Sequence, residues 1–169
     1  EFFDTNPWYA EDGRTVLYNR RIGKHWKIFT VDLSDPEKKT QLTFGPWSDI
    51  QPSFSRDGGT IFFSSDRGDH GIFNIFALDL ETGAVTNITD DEHYDAAPTF
   101  SPDGTKLVYT SNRGGAGKLV GLDFSDTSRR EQLTFGPGED EGAAFSPDGE
   151  RLYFASDRLD GVFDIFRLD

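Results

Sequence analysis

Four aspartates return at a nearly constant interval: Asp4, Asp49, Asp95 and Asp140, separated by 45, 46 and 45 residues. A carboxylate repeated in this way can hold a basic group or a cation, or accept backbone N–H bonds from its own loop. An acid-arginine or amide-arginine pair recurs with it, as Asp66-Arg67, Asn112-Arg113 and Asp157-Arg158, with Asn19-Arg20-Arg21 as an altered first copy. The planar guanidinium fork matches a partner's carboxylate, or an acidic side chain of the neighbouring repeat as a register device. The densest run of oxygen donors is Asp90-Asp-Glu-His-Tyr-Asp95. Hard donors of this kind suit Ca²⁺ better than a transition metal, but the Asp-x-Asp-x-Asp-Gly order of a calcium loop is missing. Whether these acidic loops bind calcium stays open, and no metal site is assigned.

Other chemistry is excluded more directly. The chain has no Cys and no Met, which removes disulfides, thiolate catalysis and Cys-based zinc sites. It holds no Gly-x-Ser-x-Gly elbow, no His-Glu-x-x-His and no Gly-rich phosphate loop. Its three histidines, His25, His70 and His93, fall in three different repeats. No catalytic residue and no cofactor are therefore expected. The net charge of −13 repels phosphate backbones and anionic bilayers, so the expected partner is a basic protein segment rather than nucleic acid or a membrane. No apolar run approaches the roughly 18 residues that span a bilayer, so no membrane insertion is expected. The repeats start at once after Glu1, and any export signal is expected to lie outside these residues.

The elements that position these residues follow from the repeat itself. Asp95-Ala-Ala-Pro-Thr-Phe-Ser-Pro-Asp-Gly104 returns as Asp49-Ile-Gln-Pro-Ser-Phe-Ser-Arg-Asp-Gly58, as Asp140-Glu-Gly-Ala-Ala-Phe-Ser-Pro-Asp-Gly149 and, worn, as Asp4-Thr-Asn-Pro-Trp-Tyr-Ala-Glu-Asp-Gly13. In the second copy an alternating run, Pro52-Ser-Phe-Ser55, is followed by Asp-Gly turn chemistry, then by the β-branched and aromatic Thr60-Ile-Phe-Phe-Ser-Ser65. Ile72 to Asp79 and Val85-Thr-Asn-Ile-Thr89 make a third and a fourth strand. In the first copy the fourth strand is expected at Thr40-Gln-Leu-Thr43, and in the third at Glu131-Gln-Leu-Thr134. No helical period occurs. Four short strands every 45 residues or so predict an all-β fold, a β-propeller of four-stranded antiparallel blades in a single unit, 1–169. The blades are expected at about 4–43, 49–89, 95–134 and 140–169, the last lacking its fourth strand. Such a chain reads as a segment of a larger propeller, or as half of one that a second copy completes.

Phe-Ser-Pro-Asp-Gly at 100–104 and 145–149, Ser-Asp-Arg at 65–67 and 156–158, Ser-Asn-Arg-Gly at 111–114, Ile-Phe-x-Leu-Asp at 75–79 and 165–169, and Gln-Leu-Thr at 41–43 and 132–134 resemble the WD-like propeller repeats of the TolB family. Similar repeats occur in tricorn-type and prolyl-oligopeptidase-type peptidases. The resemblance covers nearly the whole chain and specifies fold more sharply than function. It implies a non-catalytic protein-interaction scaffold in the periplasm or bacterial cell envelope, with another protein, such as an envelope lipoprotein, as partner. The alternative it leaves is the substrate-gating propeller of a larger peptidase. The TolB pattern has six blades behind a small α/β domain; four repeats stand here.

Propeller geometry separates the turns into two faces. The Asp-Gly turns of one face are interchangeable, which is what a structural requirement gives. The other face varies from blade to blade, and recognition is expected there. Its candidate partner-binding residues are Trp47, Asp49, Arg67, His70, His93, Tyr94, Asp95, Arg113, Asp140 and Arg158. Trp26 and Trp47 could instead stack on a sugar, or simply pack between blades.

Overall fold

The computed structural model describes residues 3–69 and 71–169, with the backbone alone at Thr127 and Ser128. It is all-β, with four antiparallel sheets of four, four, four and three strands, the blades of a β-propeller. The chain divides into two compact units, Glu1–Glu92 and His93–Asp169, each of two blades.

In the first unit, blade one is β1 (Asp4–Tyr9), β2 (Thr15–Ile22), β3 (His25–Asp32) and β4 (Asp35–Gln41), paired in that order. Blade two is β5 (Asp49–Phe54), β6 (Thr60–Ser65), β7 (Asn74–Asp79) and β8 (Val85–Asn87). The face of blade one carrying Leu17 and Ile28 packs onto Ile61, Phe63, Phe76 and Leu78 of blade two, with Trp8, Leu42 and Phe54 at the margin. In the second unit, blade three is β9 (Asp95–Phe100), β10 (Lys106–Ser111), β11 (Lys118–Asp123) and β12 (Asp126–Gln132). Blade four is β13 (Asp140–Phe145), β14 (Leu152–Ser156) and β15 (Asp164–Leu168). Val108 and Leu119 pack there onto Ala143, Leu152 and Phe154. A pleated strand sends alternate side chains to opposite faces, so a blade with both faces apolar can hide them only against other blades.

The Asp-Gly turns are built as the repeat implies. Ser55, Ser101 and Ser146 each donate a hydroxyl to the aspartate two residues on, at 2.6, 2.5 and 2.5 Å. The same hydroxyls accept the N–H of Thr60, Lys106 and Arg151 as the next strand begins. These hydrogen bonds hold the Asp103 carboxyl down at about 2, the Ser101 hydroxyl contributing most.

Each innermost strand is interrupted two residues after its aspartate, where the register shifts. Asn6, Gln51, Ala97 and Gly142 sit there with φ of 50, 53, 53 and 63°, in the left-handed region. Proline follows at positions 7, 52 and 98; lacking an N–H, it fits where a bulge leaves the ladder. Asn19 pins the second bulge from the neighbouring blade: its Nδ2 donates to the Asp49 carbonyl at 3.0 Å and its Oδ1 accepts the Gln51 N–H at 2.9 Å.

The fourth strands of blades one and three lie earlier than the sequence suggests, while β8 starts at the expected Val85. β4 starts at Asp35 and ends at Gln41: Asp32 caps a tight turn and pairs with Asp35, the register then shifts, and Lys39, Thr40 and Gln41 pair with Val31, Thr30 and Phe29 of β3. Leu42 and Thr43 follow the paired run.

Candidate functional site

The recurring aspartates and arginines meet. In blade two, Asp49 is fully buried at the start of β5. Arg67, just past β6, donates from Nη2 to Asp49 Oδ1 at 2.5 Å and from Nε to Ser65 Oγ at 3.0 Å. Its guanidinium lies over Phe63, Phe76 and Trp47, with its central carbon 5.0, 5.4 and 5.2 Å from the ring centroids. The other carboxylate oxygen, Oδ2, accepts from Lys27 Nζ at 3.2 Å. That lysine reaches over from β3 of blade one and also donates to the Trp47 carbonyl.

Blade four repeats the arrangement. Asp140 is fully buried; Arg158 Nη2 donates to its Oδ1 at 2.7 Å and Lys118 Nζ, from β11, to its Oδ2 at 3.1 Å. Arg158 Nε donates to Ser156 Oγ at 2.9 Å and the guanidinium covers Phe154 and Phe166. Burial pushes the Asp140 carboxyl up, but hydrogen bonds from Ser156, Arg158, Thr134 and Lys118 together outweigh it and leave it below the usual range. In blade one the arginine stands two residues earlier: Arg20, within β2, grips Asp4 through Nε and Nη2 at 2.8 and 2.7 Å and lies over Tyr18 and Phe29. That grip holds the Asp4 carboxyl below its ordinary value.

The residue before each arginine has its own task. Asp66 Oδ1 accepts the Ser48 N–H at 2.7 Å, Asn112 Oδ1 the Tyr94 N–H at 2.9 Å, and Asp157 Oδ1 the Glu139 N–H at 2.7 Å. The backbone N–H of 66, 112 and 157 returns a bond to the carbonyl of 48, 94 and 139. Each pair therefore clamps the residue just ahead of the buried aspartate, the one that enters the innermost strand from the inter-blade loop. The clamp is the same three times; the residue it presents is Ser, Tyr or Glu.

The sequence candidates thus separate. Trp47, Asp49 and Arg67 form one cluster in the first unit, and Asp140 and Arg158 its counterpart in the second. Asp95 is buried at the matching position, opposite Ser111 in the ladder. Arg20, Arg67 and Arg158 pair with the aspartate of their own blade, while Lys27 and Lys118 link Asp49 and Asp140 to the neighbouring blade. Those lysines were not singled out from the sequence; the signal was a lysine directly before the buried Ile28 and Leu119 in copies one and three. Trp47 is half-buried, its ring lying so close over Gly45 that a Cβ there would be 2.3 Å from Cζ2. His70 lies outside the described residues. On the surface of the second unit remain Tyr94, 40% exposed, the exposed Arg113 and the half-buried His93. Tyr94 stands near the exposed Glu141; burial raises the phenol pKa and the Glu141 charge raises it further.

Among the described residues, no group of three or more His, Asp and Glu side chains converges as a metal site. No helix is long and apolar enough to cross a membrane.

Comparison with known proteins gives one family and a consistent fold. The family described as the TolB beta propeller domain matches residues 74–169. The Tol-Pal system protein TolB of Francisella tularensis subsp. mediasiatica is 30% identical over 83 residues, 49% of this chain and 19% of the relative. Among solved structures, TolB from Acinetobacter baumannii superposes with a TM-score of 0.87 at 26% identity, covering 98% of this chain and 41% of that one. Puromycin hydrolase shares the fold, with a TM-score of 0.78 at 19% identity over 99% of this chain and 27% of the hydrolase. The chain spans about a fifth of the length of the curated relatives it matches and less than half of either of these structures.

Proposed function

Because the chain belongs to the TolB β-propeller domain family, we propose that it is a non-catalytic protein-binding module of the bacterial envelope, engaging a basic segment of its partner through the loops that enter the innermost strands. One observation carries this reading: a single clamp, repeated three times, presents three different side chains, and the one it holds out in blade three is an exposed tyrosine beside a carboxylate. A rigid aromatic ring next to an acid takes a lysine or arginine by cation–π contact and ion pairing together. His93 precedes it in sequence, Arg113 follows the Asn112 that clamps it, and both supply polar contacts. Asp49, Asp140 and their arginines serve as the frame, since their hydrogen bonds are made within a blade or to its neighbour. The charge of −13 supports a basic partner and fast, salt-dependent association. The compartment is supported by the likeness to Tol-Pal system proteins.

The test is retention of envelope proteins on the immobilised chain, compared with a Tyr94→Ala, Glu141→Gln variant whose circular dichroism is unchanged. A specific partner should bind the parent chain about tenfold or more tightly than the variant, with affinity falling as salt rises. Equal binding by both proteins would refute the site. A salt-insensitive partner would refute the basic chemistry.

A further inference from the structure

The loops that lead into the second and fourth blades are identical but for their last residue, Thr43-Phe-Gly-Pro-Trp47 and Thr134-Phe-Gly-Pro-Gly138. Both are held alike. The leading threonines are buried, their hydroxyls accepting the N–H of Ile28 and Leu119 at 3.0 Å, and Lys27 and Lys118 donate from Nζ to the carbonyls of Trp47 and Gly138. In the first unit the Trp47 indole folds back into the space this leaves. On one side is Gly45, where a Cβ would stand 2.3 Å from Cζ2; on the other is Arg67, its guanidinium carbon 5.2 Å from the indole centroid. Arg67 is thus covered by three rings, Trp47 with Phe63 and Phe76, and its side chain is 12% exposed.

In the second unit that seat is open. Arg158 lies over Phe154 and Phe166 as Arg67 lies over Phe63 and Phe76, but no third ring of the described residues covers it, and its side chain is 25% exposed. A Cβ on Gly136 would meet nothing within 4 Å, where Gly45 has the indole. Residue 138 cannot supply a ring of its own. Its φ is +82°, and a Cβ there would stand 2.4 Å from Asp157 Oδ1 and 2.8 Å from Arg158 Cα, so glycine alone fits. The seat lies at the junction of blades three and four, where Phe154 and Phe166 enter the shared core, rather than at the outer edge of β15.

We propose that this seat takes an aromatic side chain of the protein partner, an indole above all, which stacks on Arg158 over Gly136 as Trp47 stacks on Arg67 over Gly45. The proposal rests on the protein-binding reading and adds a second contact to it. The two sides of the seat set the chemistry of the occupant. A delocalised, weakly hydrated guanidinium attracts a flat π face, tryptophan most strongly, and a bare glycine backbone lets the ring come close. Because Asp140 and Ser156 already hold the guanidinium at 2.7 and 2.9 Å, it loses little freedom when the ring arrives. An aliphatic side chain would fill the space without meeting the cation.

The probe is N-acetyl-tryptophanamide, titrated into the whole 169-residue chain and followed by NMR. The expected result is saturable ring-current shifts at the Gly136 amide and the Arg158 Nε–H, with half-saturation on the order of 1 mM, and none at Gly45 or Arg67. Arg158→Lys keeps the charge without the flat fork and should bind about tenfold more weakly. Trp47→Gly, checked for folding by circular dichroism, should open a second site with the same shifts at Gly45 and Arg67. The Tyr94→Ala, Glu141→Gln variant should bind the probe as the parent does, so that the seat and the Tyr94 site fail separately. Absence of a saturable shift at Gly136, equal binding by Arg158→Lys, or a folded Trp47→Gly chain with no second site would overturn the proposal. So would N-acetyl-leucinamide binding as tightly, because the contact would then be merely apolar. A species of doubled mass whose Gly136 ignores the probe would overturn it too, since a second copy would then hold the seat.

Discussion

Replacing Asp140 by Asn tests whether the buried carboxylates hold blades together. Asn is a fixed stand-in for protonated Asp, with the same shape and no charge. In the parent protein the carboxylate compensates Lys118, whose side chain is 8% exposed, and Arg158, at 25%. Removing it strands two cations. Breaking a buried pair by deleting one partner costs roughly 3–5 kcal/mol. Arg158 can regain some water, so about 3 kcal/mol is the expected loss at pH 7. With a urea slope near 2 kcal/mol per molar, the midpoint should fall by roughly 1.5 M, read by circular dichroism. The sign of the pH dependence follows from the lowered folded-state pKa of Asp140. Its contribution is complete above the unfolded value of about 3.9 and is lost as pH falls through the folded value. Parent and variant should therefore differ fully at neutral pH and converge below about pH 4. A loss under about 1 kcal/mol at pH 7, or a gap that persists undiminished in acid, would refute this account of the clamp.

Two further predictions concern backbone. Gly45→Ala should cost about 2 kcal/mol or more and shift the tryptophan emission, because its Cβ would meet Trp47 at 2.3 Å with φ at +105°; Gly13→Ala, with open space and φ +64°, should cost only about 1. Equal losses at the two glycines would mean that Trp47 is not seated against the 45 backbone. At the inner-strand bulges, Ala97→Gly should be neutral or stabilising by up to about 1 kcal/mol and Gly142→Ala destabilising by about 1, since both sites need positive φ. Urea midpoints moving in the same direction for both would dismiss the bulge as a source of strain.

The blades were legible because turn chemistry and β-branched runs are local signals, repeated four times. The fourth strands of blades one and three were misplaced by several residues for a physical reason. The apolar Leu42 and the threonine behind it attract the eye, but Thr43 closes the edge with its hydroxyl, while the strand before it, Asp35–Gln41, is largely exposed and polar with no apolar period. The bulges at Asn6, Gln51 and Ala97 were equally hidden. Nothing in an Ala-Ala-Pro triplet announces a left-handed residue, and it is the following proline, unable to donate, that hints at a break in the ladder. Of the candidate site, spacing located the aspartates and arginines but could not say which way they faced.

That facing follows from a simple asymmetry. A charged side chain buried at the blade junction of each unit has to find its countercharge there, so it recurs and its partners recur with it: Asp49 with Arg67 and Lys27, Asp140 with Arg158 and Lys118. A side chain that meets something outside the fold is under no such constraint. The clamp made by Asp66, Asn112 and Asp157 is fixed, yet what it presents changes from Ser48 to Tyr94 to Glu139. Recurrence thus marks the residues that hold the scaffold, and it is on the variation at a recurrent mount that the proposed recognition rests.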